Sequence, residues 1–293
     1  MTLRQKLNLG KMNSTIKRSI SGALFLLIMA GSLLLSPLVF TVIMAIAVAI
    51  MLDEYLKIAL GNTYKTGQVI AVITGISLYI LFALVMSNTI SSRFFWLITL
   101  PVASILILTL FEGDGKGGLR GEGYQHSGFL ITSLIYIALP ISLINTILFT
   151  GTGEYTPKYL LSLFILLWSA DVGAYVFGMT FGQKRGHKLY PQISPKKSWE
   201  GFFGGAFTTL TAGVVLYYTN LLPVSLIHLM VIALIIFLLS VLGDLFESLF
   251  KRNFGVKDSG KIMPGHGGLL DRFDGALLSF PVAIAYIKTF ALF

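Results

Sequence analysis

Two polar stretches gather side chains able to handle phosphate and a divalent metal. The longer runs from Gly243 to Gly275 and reads GDLFESLFKRNFGVKDSGKIMPGHGGLLDRFDG. It holds Asp244, Glu247, Asp258, Asp271 and Asp274 beside Lys251, Arg252, Lys257, Lys261, Arg272 and His266. The shorter runs from Gly182 to Gly201 and ends S-P-K-K-S-W-E-G, which supplies Ser194, Lys196, Lys197 and Ser198. Carboxylates hold Mg²⁺ with its waters, and Lys and Arg hold phosphate oxygens, so this mixture suits a metal–phosphate site better than a solvated loop. Spacing sharpens the reading. Ser240, Asp244, Ser248 and Lys251 follow helical steps and share one face. Glu247 lies one turn from Asp244 on the same side. Asp271 and Asp274 repeat that spacing just before the last apolar run. Pro264-Gly265 and Gly267-Gly268 are turn formers. If they fold the loop back, the two acidic pairs converge on one cation. The same glycines let backbone N–H groups approach phosphate.

Other polar residues carry weaker signals. Asp171 sits in W-S-A-D-V-G-A-Y, inside an apolar run. It is read as a residue lining the site or supporting the metal, against the plainer reading of a hydrogen bond to a neighbouring helix. Asp53 and Glu54 end another apolar run and read as interfacial anchors or structural partners. His126, His187 and His228 are scattered and form no ligand set. There is no cysteine, no G-x-S-x-G element and no Cys/His nucleophile arrangement, so no covalent protein intermediate is suggested.

The elements that must position these residues are membrane helices. The chain has 293 residues, 55% hydrophobic and 12% charged, which excludes disorder and an ordinary soluble domain. Nine apolar runs are legible: 20–35, 37–60, 67–87, 94–111, 128–150, 159–182, 202–218, 222–250 and 275–293. The expected fold is an all-α polytopic membrane protein with about nine spans. Ser36-Pro37 should break the first two helices apart. With nine spans, nineteen of the 22 basic residues fall on one side, leaving Arg93, Lys158 and Lys288 on the other. The positive-inside rule then places the N-terminus, and the loops after spans six and eight, in the cytoplasm. The net charge of +9 points to an anionic leaflet or a phosphate-bearing substrate, not to nucleic acid. Glu112–Gly123 is glycine-rich but lacks the P-loop pattern and reads as a connection. Ala170, Ala174, Gly178 and Gly182 form a small-residue stripe that reads as helix packing. Residues 1–127 and 128–293 are read as an N-terminal membrane region and a catalytic one.

The stretch from Ser248 to Asp274, S-L-F-K-R-N-F-G-V-K-D-S-G-K-I-M-P-G-H-G-G-L-L-D-R-F-D, resembles the signature of phosphatidate cytidylyltransferases, the CDP-diacylglycerol synthases. A-D-V-G-A-Y and S-P-K-K-S-W-E-G look like two further motifs of that family. Met263 stands where Leu, Ile or Phe is usual, a swap that keeps volume and apolarity. Val172 replaces the usual Ser or Thr, which removes a hydroxyl. The likeness is firm over residues 160–293 and extends only to similar organisation in spans one to four.

The resemblance implies the reaction of CTP with phosphatidate to give CDP-diacylglycerol and pyrophosphate. It implies Mg²⁺ with Mn²⁺ as a substitute, leaves a monovalent cation open, and carries a homodimer as an expectation. Asp244 and Asp271 are implied as metal ligands, with Glu247 and Asp274 behind them. Lys197, Lys251 and Arg272 join Asp244 and Asp271 in the catalytic set. Substrate contacts fall to Ser194, Lys196, Lys197, Ser198, Arg252, Lys257, Asp258, His266, Gly267, Gly268 and Asp171. The expected location is the cytoplasmic membrane of a bacterium, with the active site facing the cytoplasm. Two rivals remain in view, a CTP-dependent polyprenol-type lipid kinase and a secondary transporter of an anionic solute. The acids cluster at one surface, and paired interrupted helices are not apparent, which disfavours the transporter.

Overall fold

The computed structural model describes residues 20–111, 122–182, 187–265 and 267–293. The basic N-terminal arm, most of the glycine-rich connection and His266 lie outside the described residues.

Helix α1 (Ile20–Leu35) stops at Ser36, and α2 (Pro37–Leu60) begins at once. Pro37 occupies the first helical position, where its missing N–H costs nothing, and Ser36 Oγ accepts from Leu38 N at 3.2 Å. The break expected from Ser36-Pro37 is therefore a proline-started, serine-capped helix. Helix α3 (Lys65–Met86) runs to a 3₁₀ turn over Ser92–Ile98 and then α4 (Thr99–Phe111). Helix α5 (Tyr124–Leu148) contains a π turn over Leu134–Ala138. Pro140 follows it and has no N–H to give the preceding turn, so the ladder slips locally. Next come α6 (Lys158–Thr180), a hairpin of β1 (Lys188–Tyr190) and β2 (Ser194–Ser198), α7 (Trp199–Tyr218), α8 (Leu226–Asn253) and α9 (Leu270–Thr289). The hairpin is antiparallel, with Lys188 opposite Ser198 and Tyr190 opposite Ser194.

This is the architecture of a polytopic membrane protein. Among the described residues, α2, α3, α5, α6, α7 and α8 are long and apolar enough to cross a bilayer. Large apolar side chains face outward, Leu35 at 78% and Ile227 at 76% exposure among them, as lipid-facing surfaces require. Helix α1 and the segment Ser92–Ile107 are apolar but shorter. Helix α9 begins at Leu270, not at Gly275 as the hydropathy suggested. Its first turns include Asp271, Arg272 and Asp274, which a hydropathy window ends on but a helix N-terminus accepts.

Two close crossings position the polar residues. Helices α6 and α7 meet through glycine: Gly178 lies against Gly201, while Gly201 and Gly205 sit against the carbonyls of Ala174 and Ala170. The small-residue stripe is thus a helix contact. Helices α8 and α9 cross where Gly243 faces the Asp274 carbonyl and Gly275 faces Ser240. A side chain at Gly243 would strike that carbonyl. Without it, the Asp244 and Asp274 backbones approach closely enough for their carboxylates to feel one another.

Candidate active site

A cavity of about 330 Å³ lies where α6, α7 and α8 meet the hairpin. Asp171, Ser194, Lys196, Lys197, Ser198 and Asp244 are among its lining residues. They come from three stretches of sequence and are brought together by the α6–α7 crossing and by β2. The hairpin is held at its base. Trp199 N donates to His187 O at 2.9 Å, and Glu200 Oε1 accepts from His187 N at 3.1 Å. Ser198 Oγ accepts from Gly201 N at 3.2 Å and caps α7, so its hydroxyl has a structural task. Lys197 leans across to α8. Its ammonium is 2.8 Å from Asp244 Oδ2 and donates to the Val241 carbonyl at 3.2 Å. Asp244 Oδ1 accepts from Ser248 Oγ at 3.2 Å, one turn along the shared face. Asp171 opens to the cavity within electrostatic reach of Asp244, Arg272 and Lys197.

Behind this layer is a buried chain of charges. Lys251 places its ammonium 3.1 Å from Glu247 Oε1 and 2.5 Å from Asp271 Oδ1. All three residues are buried. The other Asp271 oxygen is fully engaged: Oδ2 accepts from Ser259 N at 2.9 Å, Ser259 Oγ at 3.0 Å and Gly268 N at 2.7 Å. Glu247 has no such set: no backbone amide or hydroxyl reaches it, and the Lys251 ammonium is its ion-pair partner. Asp274 accepts from its neighbour Gly275 N at 2.7 Å and faces Asp244, Glu247 and Asp171. Asp274 is thus within electrostatic reach of Asp171, Asp244 and Glu247. Asp271 is turned toward the loop and Lys251.

The remaining sequence candidates sit apart from the cavity. Arg252 is exposed, and its guanidinium donates to the Val256 carbonyl at 3.0 Å. Lys257 and Asp258 are exposed on the loop after α8. Gly267 adopts φ +84°, where a side chain would be strained and would meet the Asp271 carboxylate. Gly268 gives its N–H to Asp271, so these two glycines wrap a protein carboxylate. Arg272 is exposed at the start of α9.

Glu54 is the member that sequence reasoning missed. Asp53 points out to Lys57 at 2.6 Å, whereas Glu54 is buried. Glu54 Oε1 accepts from Leu269 N at 3.1 Å; Oε2 accepts from Leu270 N at 2.8 Å and Ser259 Oγ at 3.1 Å. The acidic dyad at the end of an apolar run was the available signal, since carboxylates there are costly. Its partners, more than two hundred positions later, were not legible.

Among the described residues, no three carboxylates or histidines stand in a ready-made ligating arrangement. The donor chemistry still fits a hard divalent cation. Asp171, Asp244 and Glu247 all lie within electrostatic reach of Asp274. An all-oxygen anionic set of that kind selects Mg²⁺-like ions.

Comparison with known proteins adds independent information. The profile of the cytidylyltransferase family matches residues 16–290. The chain is 41% identical over 159 residues to a phosphatidate cytidylyltransferase of Staphylococcus aureus. It is 39% identical over the same length to those of Staphylococcus epidermidis and Staphylococcus haemolyticus. Each alignment covers 54% of this chain and 58% of the relative, so the chain spans somewhat over half the length of the curated relatives it matches.

Proposed function

Since the chain belongs to the cytidylyltransferase family, we propose that it is a phosphatidate cytidylyltransferase, joining CTP and phosphatidate to give CDP-diacylglycerol and pyrophosphate. The observation that carries the reading is the cavity itself, where Lys196 and Lys197 stand opposite Asp244 and Asp171. It offers cations for phosphate and carboxylates for a metal within one space.

A phosphate oxygen of the lipid forms a bond to the α-phosphorus of CTP as the bond from that phosphorus to the bridging oxygen of pyrophosphate breaks. The lipid phosphate is already anionic at neutral pH, so no protein nucleophile is needed. The protein's task is to hold two anions that repel one another. Lys197, fixed between β2 and α8, presents a positive charge that bound phosphate shares with Asp244. Lys196 is exposed at the rim and adds a second charge. Asp244 and Asp274 are the carboxylates best placed to hold the cation, with Asp171 across the cavity and Glu247 beneath. A bound divalent ion supplies positive charge where the leaving group gains negative charge. Lys251 shares its one positive charge between Glu247 and Asp271 and so reduces their repulsion at the base of the site. Asp271 organises the loop that Ser259 and Gly268 belong to. Arg252, Lys257 and Asp258 remain candidates for the part of a substrate outside the cavity, with His266 beside them in sequence.

The same reading includes nine spans, with α1, the 92–111 segment and α9 completing the six long helices. It places the N-terminus and the active site on the cytoplasmic side of a bacterial inner membrane, where a lipid with acyl chains in the bilayer meets a soluble nucleotide. Residues 128–293 carry the cavity, and the homodimer remains part of the proposal.

The test is to incubate purified protein with CTP, phosphatidate and Mg²⁺ in detergent micelles and measure pyrophosphate and the nucleotide product together. Lipid-dependent pyrophosphate with a CDP-lipid is the expected result. Release of CDP with a newly phosphorylated lipid would show a kinase instead.

A further inference from the structure

Glu54 is the carboxylate that links the first membrane region to the signature loop. It lies near the end of α2, more than two hundred residues from its partners, and is buried. It accepts three hydrogen bonds: from Leu269 N at 3.1 Å, Leu270 N at 2.8 Å and Ser259 Oγ at 3.1 Å. The two amides belong to the start of α9, whose first N–H groups have no partners inside the helix. Leu269, the residue before α9, has no side-chain cap of its own. A carboxylate from another helix therefore does the work of a local cap, and its charge suits the positive end of the helix dipole.

Two further observations show that the loop is shaped around this side chain. A Cβ at Gly260 or at Gly268 would run into the Glu54 carboxylate. These positions leave room for a protein carboxylate. Beside Glu54, Tyr55 stacks on Phe250 of α8 at 4.5 Å between ring centroids, next to Lys251. Helix α2 thus docks on both arms of the signature, α8 and α9. Ser259 relays the contact inward, because its one hydroxyl hydrogen is shared between Glu54 Oε2 at 3.1 Å and Asp271 Oδ2 at 3.0 Å.

We propose that Glu54 is a positioning residue of the active site: through Ser259 and the amides of Leu269 and Leu270 it fixes the start of α9, and with it Asp271 and Asp274. The kinetic part of this proposal rests on the cytidylyltransferase reading; the mechanical part does not. Glu54 is buried and is not among the residues lining the cavity. Its removal lets the first turn of α9 shift, and a misplacement of about 1 Å at reacting groups can cost about a hundredfold in rate. The N-terminal region is then part of the catalytic unit.

The experiment uses the full chain in detergent and the variants Glu54→Gln and Ser259→Ala. Gln is isosteric but turns an NH₂ toward groups that are already donors. Hydrogen exchange is followed on peptides covering residues 267–275, and kcat and KM for both substrates are referred to the folded fraction measured by size exclusion. Glu54→Gln is expected to speed exchange at Leu269 and Leu270 about tenfold. It should lower kcat by about tenfold to a hundredfold with both KM values within about twofold, the pattern of a group that sets the reacting geometry. Ser259→Ala, a smaller change that should fold, should lower kcat in the same way. Its effect should be less than additive with Glu54→Gln, because the two share one path. Unchanged exchange overturns the mechanical claim. Wild-type kcat per folded molecule in Glu54→Gln overturns the positioning role, as does strict additivity. Absence of lipid-dependent pyrophosphate from the wild type would sink the assigned reaction instead, and the exchange measurement would still decide whether Glu54 holds α9.

Discussion

Replacing Lys251 by Met tests the buried charge chain on which the site stands. The substitution keeps the length of the side chain and removes the one positive charge shared by Glu247 and Asp271. The two carboxylates are not equally exposed to this loss. Asp271 keeps three donors, Ser259 N, Ser259 Oγ and Gly268 N. Glu247 has no amide or hydroxyl donor to fall back on, because its ion-pair partner is Lys251 itself. Stripping one partner from a buried ion pair costs about 3–5 kcal/mol. At roughly 2–4 °C per kcal/mol for a chain somewhat shorter than this one, Lys251→Met should melt about 6–20 °C below wild type at pH 7. The assay is thermal unfolding in one detergent at one scan rate, followed by tryptophan fluorescence. Second-site changes locate the cost. Lys251→Met with Glu247→Gln should recover most of the loss, whereas Lys251→Met with Asp271→Asn should recover little. An unchanged Tm, or better rescue by Asp271→Asn, would refute the assignment of Glu247 as the dependent partner.

Asp244→Asn should leave the protein folded and reduce pyrophosphate release about a hundredfold or more, since on the proposed reading it weakens the hold on the divalent cation; near-normal turnover would remove Asp244 from the site. Lys197→Ala should raise KM for CTP about tenfold, the size of one lost charged hydrogen bond, and unchanged KM for both substrates would end its role in phosphate binding. Gly268→Ala should destabilise the protein by about 1–3 kcal/mol, because the new methyl group collides with Ser259 and Glu54, and a wild-type Tm would show that the loop has room to move.

Some of this was legible in the residues alone. Composition fixed the solvent, because 12% charge and long apolar runs cannot make a soluble core. Pro37 after Ser36 marked a helix break that the chain makes at that point. Helical spacing put Asp244, Ser248 and Lys251 on one face, and Asp244 does accept from Ser248. Those are local properties, set by residues within a turn or two of one another. Hydropathy misplaced the start of α9 for a related reason. A window scale penalises Asp271 and Asp274 as charges, while the backbone places them in the first turns of a helix, where acids are favoured.

Tertiary structure decided which acids work together. Helical spacing alone offered the pairs Asp244–Glu247 and Asp271–Asp274 for one cation, and the family resemblance put Asp244 and Asp271 first. The crossing of α8 and α9 at Gly243 and Gly275 turns Asp274 toward Asp244, while Lys251, Ser259 and Gly268 draw Asp271 away. Gly267 and Gly268, read as glycines that let backbone approach phosphate, lie against Asp271 and Glu54. Glu54 itself was hidden because its partners are a loop hydroxyl and two backbone amides. Backbone N–H groups carry no signature in a sequence, and the distance between Glu54 and Leu270 along the chain is closed only when α2 packs against the signature. What a sequence states is residue type and local period; which buried carboxylate meets which donor is fixed by helices crossing at a particular place.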